Sequence, residues 1–500
     1  MAKICLCLTG KTIEKDLEIL KKYQKYVDLA ELRVDYLEPD ERLHIRRFPE
    51  QAGIPVILTI RRDLDGGQFT GGEGARISLF SKGLAFADVD PRRNFAYVDF
   101  EEYLNIPSLE EVARTFGTRI IRSYHNMKGV DDDLVGRIKS LNRVGDELVK
   151  VAVMPHTMED VLRVFKAGWE TMEIDKILIC MGHLGLPTRI LAEHLGSQIS
   201  YTSVRGDPTL PEIPLGQLDP QELSELYRFR TITSKTRLFG IIGYPLKATS
   251  SPPFFNRLFG LQNMDAVYVP FPADSVEPFL KIADTLGLAG ASVTVPYKET
   301  ILPHLVKSSK QVQAIGACNT IVYTPQGWVG YNADAPGFSG SLLDFIGKKS
   351  FMGKRITIIG AGGVARAVAF EVHRLHGKAL ILNRTAFRAR DLAGIYRFAW
   401  GAMDVAGIKL MDKYNDIIIQ TTSAGMEGHT EIDPLESYKF AGHETVMDLI
   451  YKPEQTLFLQ RAEKAGCRIL NGLDMLNRQA KLQYEYFLGT EFPEPLSKLL

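Results

Sequence analysis

The stretch Leu148-Val-Lys-Val-Ala-Val-Met-Pro155 sets a single lysine, Lys150, inside a run of apolar residues. Because valine flanks the lysine on both sides, the run is typical of a strand that is covered on both faces, as in a parallel sheet. Burial disfavours the charged form of an amine, and a neutral amine can attack a carbonyl carbon to form a Schiff base. The alternative is a lysine whose stem packs while its ammonium reaches the end of the sheet. The stretch predicts a buried parallel strand and makes Lys150 a candidate nucleophile.

Seven more strand-like segments accompany this one in the first half of the chain, at residues 4–8, 29–36, 56–60, 95–100, 119–124, 176–181 and 198–202. Amphipathic helix patterns lie between most of them, at residues 108–116, 131–144, 157–167 and 186–195. Eight strands alternating with helices over residues 1–232 predict a (β/α)8 barrel. Residues 219–230 read as a closing helix.

The composition bounds the class of protein. The chain has 500 residues, which predicts two or three domains, and its 45% hydrophobic and 24% charged residues are typical of a globular protein. Sixty basic residues balance sixty acidic ones, so the composition gives no reason to expect a nucleic-acid partner. No apolar run is long enough to predict a membrane span. Five scattered cysteines favour reduced thiols and a cytoplasmic location.

Polar residues fall near the carboxyl ends of the predicted barrel strands, where the chemistry of this fold takes place. The candidates are Glu31, Arg33, Arg61, His125, Lys150 and Arg189. One arginine or histidine alone is usually a surface residue. The convergence of several on one barrel mouth favours a catalytic site.

These residues stand in stretches that resemble type I 3-dehydroquinate dehydratases over nearly the whole first half. The matching stretches are Glu31-Leu-Arg-Val-Asp35, Thr59-Ile-Arg61, Ser123-Tyr-His125, Val149–Pro155 and Gly216-Gln217. The resemblance implies that Lys150 forms a Schiff base with 3-dehydroquinate and that His125 is the general acid and base. An iminium withdraws electrons, so the adjacent C–H bond becomes acidic and the β-hydroxyl can leave.

The same resemblance implies a set of residues that hold the substrate, namely Glu31, Arg33, Arg61, Asp65, Arg189 and Gln217. Arginine matches a carboxylate with two parallel hydrogen bonds. Two positions depart from the family pattern. Asp65 stands where glutamate is usual, which shortens its reach, and Ile213 replaces a common serine in the loop over residues 207–218 that would close over the substrate.

The second half begins after a short polar linker over residues 231–236 and again alternates strand and helix patterns. Its clearest signal is Arg355-Ile-Thr-Ile-Ile-Gly-Ala-Gly-Gly-Val-Ala365, which reads as a strand, a glycine turn and a helix. This pattern predicts a dinucleotide-binding turn. The cofactor would contact the turn residues Gly360, Ala361, Gly362, Gly363, Val364 and Ala365.

The next strand pattern indicates which dinucleotide binds. An NAD enzyme usually carries an acidic residue at the end of that strand, to hold the ribose 2′-hydroxyl. Here the strand ends in Asn383-Arg384-Thr385, with Arg388 one turn further on. Two arginines without an acid suit a 2′-phosphate, so the sequence predicts NADP; an ordinary solvated arginine pair is the alternative.

Stretches on both sides of the glycine turn resemble shikimate dehydrogenase: Thr249-Ser-Ser-Pro252, Val293–Lys298, Cys318-Asn-Thr320, Asn332-Ala-Asp334 and Gly472–Leu476. The resemblance implies a catalytic pair, Lys298 and Asp334, that protonates the substrate as hydride arrives. It also implies that the substrate is held by Thr249, Ser251, Thr294, Asn319, Asn332 and Gln479, with Tyr451 at the cofactor cleft. Thr249 replaces the usual serine and Ala333 the usual threonine.

The two resemblances predict one bifunctional enzyme of the shikimate pathway, α/β throughout. A barrel over residues 1–232 would dehydrate 3-dehydroquinate. A two-domain dehydrogenase would then reduce 3-dehydroshikimate with NADPH, through a substrate domain over 237–340 and 467–500 and a Rossmann-like NADP domain over 341–466. Two alternatives stay open: a Schiff-base aldolase fused to a quinate dehydrogenase, and a regulator that only binds these ligands. The four intact catalytic residues weigh against the regulator.

Overall fold

The computed structural model of the chain describes residues 1–85, 89–211, 216–246 and 249–493. The chain divides into two compact units, Met1–Leu288 and Ala289–Leu500. None of the helices in the described ranges has the length and apolar character needed to cross a membrane.

The first unit contains an eight-stranded parallel barrel, with the strand order β7-β6-β5-β4-β3-β2-β1-β8. The strands are β1 Lys3–Leu8, β2 Leu29–Arg33, β3 Val56–Thr59, β4 Tyr97–Glu101, β5 Arg119–Asn126, β6 Leu148–Val153, β7 Lys176–Cys180 and β8 Ile199–Thr202. The seam between β7 and β8 is joined by the Gln198 amide, which donates to the Lys176 carbonyl at 2.8 Å. All six residues of β6 are buried, as the apolar run predicts. The predicted barrel is confirmed.

Helices surround the barrel: α1 Ile13–Tyr23, α2 Phe48–Ala52, α3 Glu73–Leu84, α4 Pro107–Thr115, α5 Leu134–Leu141, α6 Met158–Trp169 and α7 Leu186–Ile190. Thr157 and Asp160 form a capping box that fixes the start of α6 just after strand β6. The closing helix predicted over residues 219–230 is present in part. The chain forms a π-helical segment at Glu222–Leu226 and a 3-10 turn at Phe229–Thr231, and Arg228 between them takes a left-handed conformation (φ 50°) that interrupts the helix.

Four more elements belong to the first unit: β9 Arg237–Gly243, α8 Ser251–Leu261, β10 Ala266–Pro272 and α9 Val276–Leu286. Strands β9 and β10 pair in parallel, and helix α9 packs against α6 of the barrel. The Met158 amide at the start of α6 donates to Asp274 Oδ1 at 2.9 Å. This compact unit therefore extends past the domain boundary predicted near residues 232–237, which stays a prediction.

The second unit opens with a small sheet in the order β11-β13-β14-β12. Its elements are β11 Gly290–Val293, β12 Lys307–Ser308, α10 Lys310–Ile315, β13 Thr320–Thr324, β14 Gly327–Tyr331 and α11 Asp334–Ile346. The last helix of the chain, α16 Leu473–Leu488, returns to pack against α11. The carboxyl-terminal segment thus completes the part that precedes the cofactor sheet.

A six-stranded parallel sheet follows, in the order β17-β16-β15-β18-β19-β20. Its elements are β15 Arg355–Ile359, α12 Gly363–Arg374, β16 Lys378–Asn383, α13 Ala386–Tyr396, β17 Ala399–Ala402, α14 Val405–Met411, β18 Ile417–Gln420, β19 Thr445–Asp448, α15 Leu457–Lys464 and β20 Arg468–Leu470. Numbered along the chain this is the 3-2-1-4-5-6 order of dinucleotide-binding folds. The predicted Rossmann-like domain is confirmed, and its switch point lies between β15 and β18, beside the glycine turn.

Candidate active sites

Lys150 lies inside the barrel, where the register of β5 and β6 sets it opposite Ser123. Only 5% of its surface is exposed. Its ammonium lies 2.9 Å from Asp99 Oδ2 and 3.6 Å from Glu31 Oε1. Two carboxylates therefore lie against the nitrogen that the sequence makes a candidate nucleophile.

Asp99 is a candidate functional residue that the sequence analysis missed. It is fully buried on β4 and accepts hydrogen bonds from Lys150 and from the Ser123 hydroxyl. Burial by itself would raise the pKa of Asp99, but the cations Arg61 and Lys150 outweigh it and hold that pKa well below its ordinary value. A signal was present: Asp99 and Glu101 alternate in an otherwise apolar strand, which directs both to one face.

Arg61 completes a buried ionic cluster with these carboxylates. Its guanidinium lies 3.0 Å from Asp99 and 2.7 Å from Glu101, and it also donates to Ser123 Oγ at 3.2 Å. Arg76 binds Glu101 from the other side and donates to the Ile60 carbonyl at 2.9 Å. The predicted contact of Arg61 with substrate stays a prediction, since two carboxylates already hold its guanidinium.

His125 follows Ser123 by two residues on β5, so both side chains lie on the inner face of the strand. Its Nδ1 atom is buried and has no hydrogen-bond partner among the described residues. Burial, reinforced by the cations Arg61 and Lys150, lowers the pKa of His125 well below its ordinary value of 6.5. The imidazole is therefore neutral at physiological pH and can accept a proton.

Two other predicted binding residues stand on β2. Glu31 accepts hydrogen bonds from Thr59 Oγ1 at 2.9 Å and from the Cys7 thiol at 3.3 Å. Arg33 makes a bidentate pair with Asp35, at 3.0 and 2.7 Å. Glu31 is thus one of the acidic side chains next to Lys150. The guanidinium of Arg33 is held by Asp35.

Asp65 and Gln217 are also held by protein groups. Asp65 Oδ2 accepts from Arg62 Nε at 2.8 Å and from the Tyr103 hydroxyl. Gln217 is bonded through its side chain to Ser203. Whether either residue contacts the substrate stays a prediction. Ile213, in the predicted closing loop, lies outside the described residues.

Two buried side chains on the β7–β8 side of the barrel carry polar atoms that have no hydrogen-bond partner among the described residues. One is the guanidinium of Arg189, whose Nε and Nη1 atoms are both unpaired. The other is the hydroxyl of Tyr201 on β8. Burial lowers the pKa of Arg189 to about 10, so the group is still a cation at neutral pH. An unpaired buried cation is costly unless a ligand supplies the counter-charge.

The second candidate site centres on Lys298 and Asp334, the pair that the resemblance to shikimate dehydrogenase implies. Lys298 Nζ lies 2.6 Å from Asp334 Oδ2, and both residues are buried. Asp334 is the first residue of α11, where the positive end of the helix dipole favours a carboxylate. Asn319 Nδ2 donates to the other oxygen, Oδ1, at 2.9 Å. The carboxylate is thus fixed on both sides and holds the ammonium in one place.

The other residues predicted to bind substrate in this unit have different surroundings. Asn332 is buried, donates to the Ala317 carbonyl and accepts from the Ala335 amide, so it shapes the turn before α11. Thr294 follows β11 and Gln479 lies on α16, both partly buried. A residue that the sequence analysis missed, Gln483, donates to the Asn319 carbonyl at 3.1 Å and so ties α16 to the site.

Thr249 and Ser251 lie in the first unit, at the start of α8. The Ser251 amide donates to Thr249 Oγ1 at 3.3 Å. The hydroxyl of Thr249, which replaces the serine usual in the family, therefore accepts a hydrogen bond from the first residue of α8. Its contact with substrate stays a prediction.

The glycine turn joins β15 to α12 as predicted. Gly360 has φ 110°, which excludes a side chain, and a Cβ there would lie 2.5 Å from Thr421 Oγ1. A Cβ on Gly362 would meet nothing within 4 Å, so the protein leaves open space in front of the helix start. Ala361, Val364 and Ala365 complete the turn and the first turn of α12. Open space before a helix N-terminus suits a pyrophosphate.

The arginines predicted to bind a 2′-phosphate lie at the end of β16 and on α13. Arg384 and Arg388 are exposed, and within the described part of the chain neither is recorded in an ion pair. Asn383 Nδ2 donates to the Thr385 carbonyl at 3.0 Å and shapes this turn. Tyr451 follows β19 and is partly buried. Two available guanidiniums beside the glycine turn fit a phosphate on the adenosine ribose.

A metal centre finds no support in the described residues, where no group of three histidine, cysteine or acidic side chains could hold an ion. All five cysteines are free and buried.

Comparison with known proteins finds three family models along the chain. Residues 4–234 match the family model of type I 3-dehydroquinase. Residues 241–321 match the shikimate dehydrogenase substrate binding domain, and residues 345–431 match shikimate / quinate 5-dehydrogenase.

Three curated relatives show how far the similarity extends. The bifunctional 3-dehydroquinate dehydratase/shikimate dehydrogenase of Arabidopsis thaliana, a chloroplastic protein, is 28% identical over 99% of this chain and 83% of its own length. The shikimate biosynthesis protein AroDE of Chlamydia pneumoniae is 26% identical over 96% of this chain and 94% of its own. The NADP(+) shikimate dehydrogenase of Caldanaerobacter subterraneus is 37% identical over 52% of this chain and 93% of its own.

Proposed function

Since this chain belongs to the family of bifunctional type I 3-dehydroquinate dehydratases and shikimate dehydrogenases, we propose that it catalyses two consecutive steps of the shikimate pathway. The barrel dehydrates 3-dehydroquinate to 3-dehydroshikimate. The second half reduces that product to shikimate with NADPH.

In the barrel, Lys150 attacks the ketone carbon and water leaves as the imine forms. Asp99, 2.9 Å from Lys150 Nζ, holds that nitrogen in position. His125, kept neutral by its lowered pKa, takes the proton from the carbon next to the imine. The hydroxyl on the following carbon then departs as water with the proton that His125 took, and a second water molecule releases the product from Lys150.

The observation that carries the dehydratase assignment is the unpaired guanidinium of Arg189. It is 5% exposed and two of its nitrogens have no partner among the described residues. Arg33 and Arg61, in contrast, already hold carboxylates. Arg189 is therefore the arginine best prepared to receive the carboxylate of 3-dehydroquinate, by a charge-assisted and bidentate contact.

In the second half, the keto oxygen of 3-dehydroshikimate takes a proton from Lys298. Lys298 Nζ lies 2.6 Å from Asp334 Oδ2, and Asn319 Nδ2 donates to Asp334 Oδ1 at 2.9 Å. Asn319 thus holds the carboxylate, and the carboxylate holds the proton donor in place. NADPH, when bound, supplies the hydride. Gly360, Gly362 and the start of α12 would hold its pyrophosphate, and Arg384 with Arg388 its 2′-phosphate.

A coupled assay tests both activities in the intact chain: 3-dehydroquinate plus NADPH should consume NADPH, read by absorbance. Lys150→Ala should abolish dehydration while reduction of added 3-dehydroshikimate continues, and Lys298→Ala should do the reverse. Quinate with NAD is the competing substrate pair to include.

Borohydride added with 3-dehydroquinate should leave a covalent adduct on Lys150, because an iminium is reducible and an amine is not. Lys176 is a matched internal control: it is also a buried barrel lysine, but its ammonium donates to the Thr171 carbonyl at 2.6 Å. An adduct on Lys176, or none, would refute the barrel mechanism.

We also propose a cytoplasmic location, on the ground that all five cysteines are free thiols.

A further inference from the structure

The Tyr201 hydroxyl is a buried polar group that the proposed mechanism does not use. The residue is 4% exposed, and its oxygen has no hydrogen-bond partner among the described residues. A buried hydroxyl left unpaired costs about 1–3 kcal/mol. Such a group in a folded protein calls for a functional reason, and a bound ligand is one.

The ring of Tyr201 faces the reacting nitrogen. Lys150 Nζ lies 4.3 Å from the ring centroid, within the range of cation–π attraction. Tyr201 stands on β8, next to Cys5 of β1 in the sheet register, and belongs to the apolar cluster that fills the barrel. Little water reaches this contact, so the attraction is stronger than at a surface.

The charged and titratable groups around the phenol are Lys150, Glu31, Asp99, Cys5 and Cys7. Burial, followed by the negative charge of the neighbouring acids, raises the pKa of Tyr201 well above its ordinary value. The phenol therefore keeps its proton at every working pH and acts as a hydrogen-bond donor.

Arg189 marks which end of a substrate this donor would meet. Arg189 lies on α7, which follows β7, and Tyr201 lies on β8, so both residues belong to the β7–β8 side of the barrel. On the opposite side, Asp99, Arg61 and Glu101 satisfy one another. If Arg189 binds the carboxylate of the substrate, the carbon that bears this carboxylate lies on the same side of the barrel as Tyr201, and so do the oxygens attached to that carbon.

On the premise of the proposed dehydratase function, we propose that Tyr201 contacts the substrate in two ways. Its hydroxyl donates a hydrogen bond to an oxygen on the carboxylate-bearing carbon of 3-dehydroquinate. Its ring supports the positive charge of the imine on Lys150.

The ring contact matters more once the imine has formed. The free ammonium has three N–H groups with which to bind Asp99 and Glu31, whereas a protonated imine keeps one. Attraction to a ring face needs no N–H group, so it persists when hydrogen bonds are lost. The ring thus favours the iminium over an unassisted neutral amine.

The experiment compares Tyr201→Phe with Tyr201→Leu in the full-length chain. Tyr201→Phe removes only the hydroxyl, so KM for 3-dehydroquinate should rise roughly three- to tenfold, the size of one hydrogen bond. Borohydride trapping on Lys150 and thermal stability should be unchanged. Tyr201→Leu removes the ring as well and should also lower kcat and the trapped fraction by roughly tenfold, the size of a desolvated cation–π contact.

Tyr97→Phe is the matched control, because Tyr97 packs against the same barrel cluster two residues before Asp99. It should leave KM and trapping unchanged. A Tyr201→Phe enzyme with the KM of the parent overturns the hydroxyl contact and assigns that oxygen to ordered water. If the parent chain itself lacks dehydratase activity, the proposed function fails instead, so the two failures are distinguishable.

Discussion

Gly363 of the cofactor turn lies directly against the side chain of Lys298. A Cβ atom built on Gly363 would be 3.3 Å from Cβ and 3.4 Å from Cδ of Lys298. This glycine is needed for space rather than for an unusual backbone, since it begins the helix α12. The start of the cofactor helix and the proposed proton donor therefore share one contact.

Gly363→Ala should displace Lys298 by a few tenths of an ångström and lower kcat for reduction of 3-dehydroshikimate. The neighbouring Gly362→Ala is the matched comparison. Its Cβ would meet no protein atom within 4 Å but would occupy the space proposed for the pyrophosphate, so it should raise KM for NADPH instead. Steady-state kinetics with both substrates would separate the two effects. Identical kinetic changes in the two variants would contradict the contact as an explanation.

Asp99→Asn should damage the dehydratase and leave the reductase rate nearly unchanged. The variant leaves Arg61 and Lys150 as neighbouring buried cations without their shared carboxylate. Breaking a buried ion pair on one side destabilises a protein by roughly 3–5 kcal/mol. Calorimetric unfolding and borohydride trapping would measure the two losses. Asp132→Asn, at a fully exposed aspartate, is the control and should change neither.

His125 should make the barrel less stable as the pH falls. Because its pKa in the folded state is well below 6.5, the unfolded chain binds a proton below that pH while the folded chain does not. Stability therefore decreases as the pH drops through about 6.5, toward the lowered pKa. Thermal unfolding from pH 8 to pH 5 should show a shallower loss in His125→Asn than in the parent. The same substitution at exposed His183 should preserve the parent slope.

Asp16 should act in the opposite direction. It is fully buried, its Oδ1 accepts from the Gly10 amide at 2.8 Å, and its Oδ2 has no partner among the described residues. Burial raises its pKa to about 7, so the folded chain holds a proton that an unfolded carboxyl, with pKa 3.8, has released. The contribution of Asp16 to stability is thus fully present below about pH 4 and is lost as the pH rises through 7.

Asp16→Asn supplies a neutral acceptor for the Gly10 amide, so it should raise the unfolding temperature at pH 8 relative to the parent and have little effect at pH 5. Glu14→Gln on the same helix, at an exposed carboxylate, is the control. A variant that loses equal stability at both pH values would show that the carboxyl is not protonated in the folded chain.

Replacing Arg384 and Arg388 together with glutamine should raise KM for NADPH by at least about tenfold, because each charge-assisted hydrogen bond to the 2′-phosphate contributes roughly 1.5–3 kcal/mol. KM for NADH should change little, since NADH lacks that phosphate. Arg390→Gln is the control on the same helix, where the guanidinium is 3.1 Å from Asp391. Equal changes for both dinucleotides would refute the arginine contact.

The sequence by itself determined the elements and the residues with chemistry. All eight barrel strands and the glycine turn follow from local patterns: apolar runs of strand length, a capping box before α6 and a strand followed by closely spaced glycines. The motif residues Lys150 and His125 could be placed on the inner face because side chains alternate along a strand. The closing helix was predicted as one continuous element, since the left-handed conformation at Arg228 that interrupts it has no local sequence signal.

Only the tertiary structure decided which groups pair. Asp99 and Lys150 are 51 residues apart in the sequence, and the barrel sheet brings them together. Asn319 and Asp334 meet because the hairpin of β13 and β14 between them returns the chain. The barrel also sets two carboxylates against Arg61, and it leaves Arg189 Nε and Nη1 and the Tyr201 hydroxyl without a partner among the described residues. Residue type gives a side chain its possible chemistry, but the neighbours supplied by other strands decide its charge and its free hydrogen bonds.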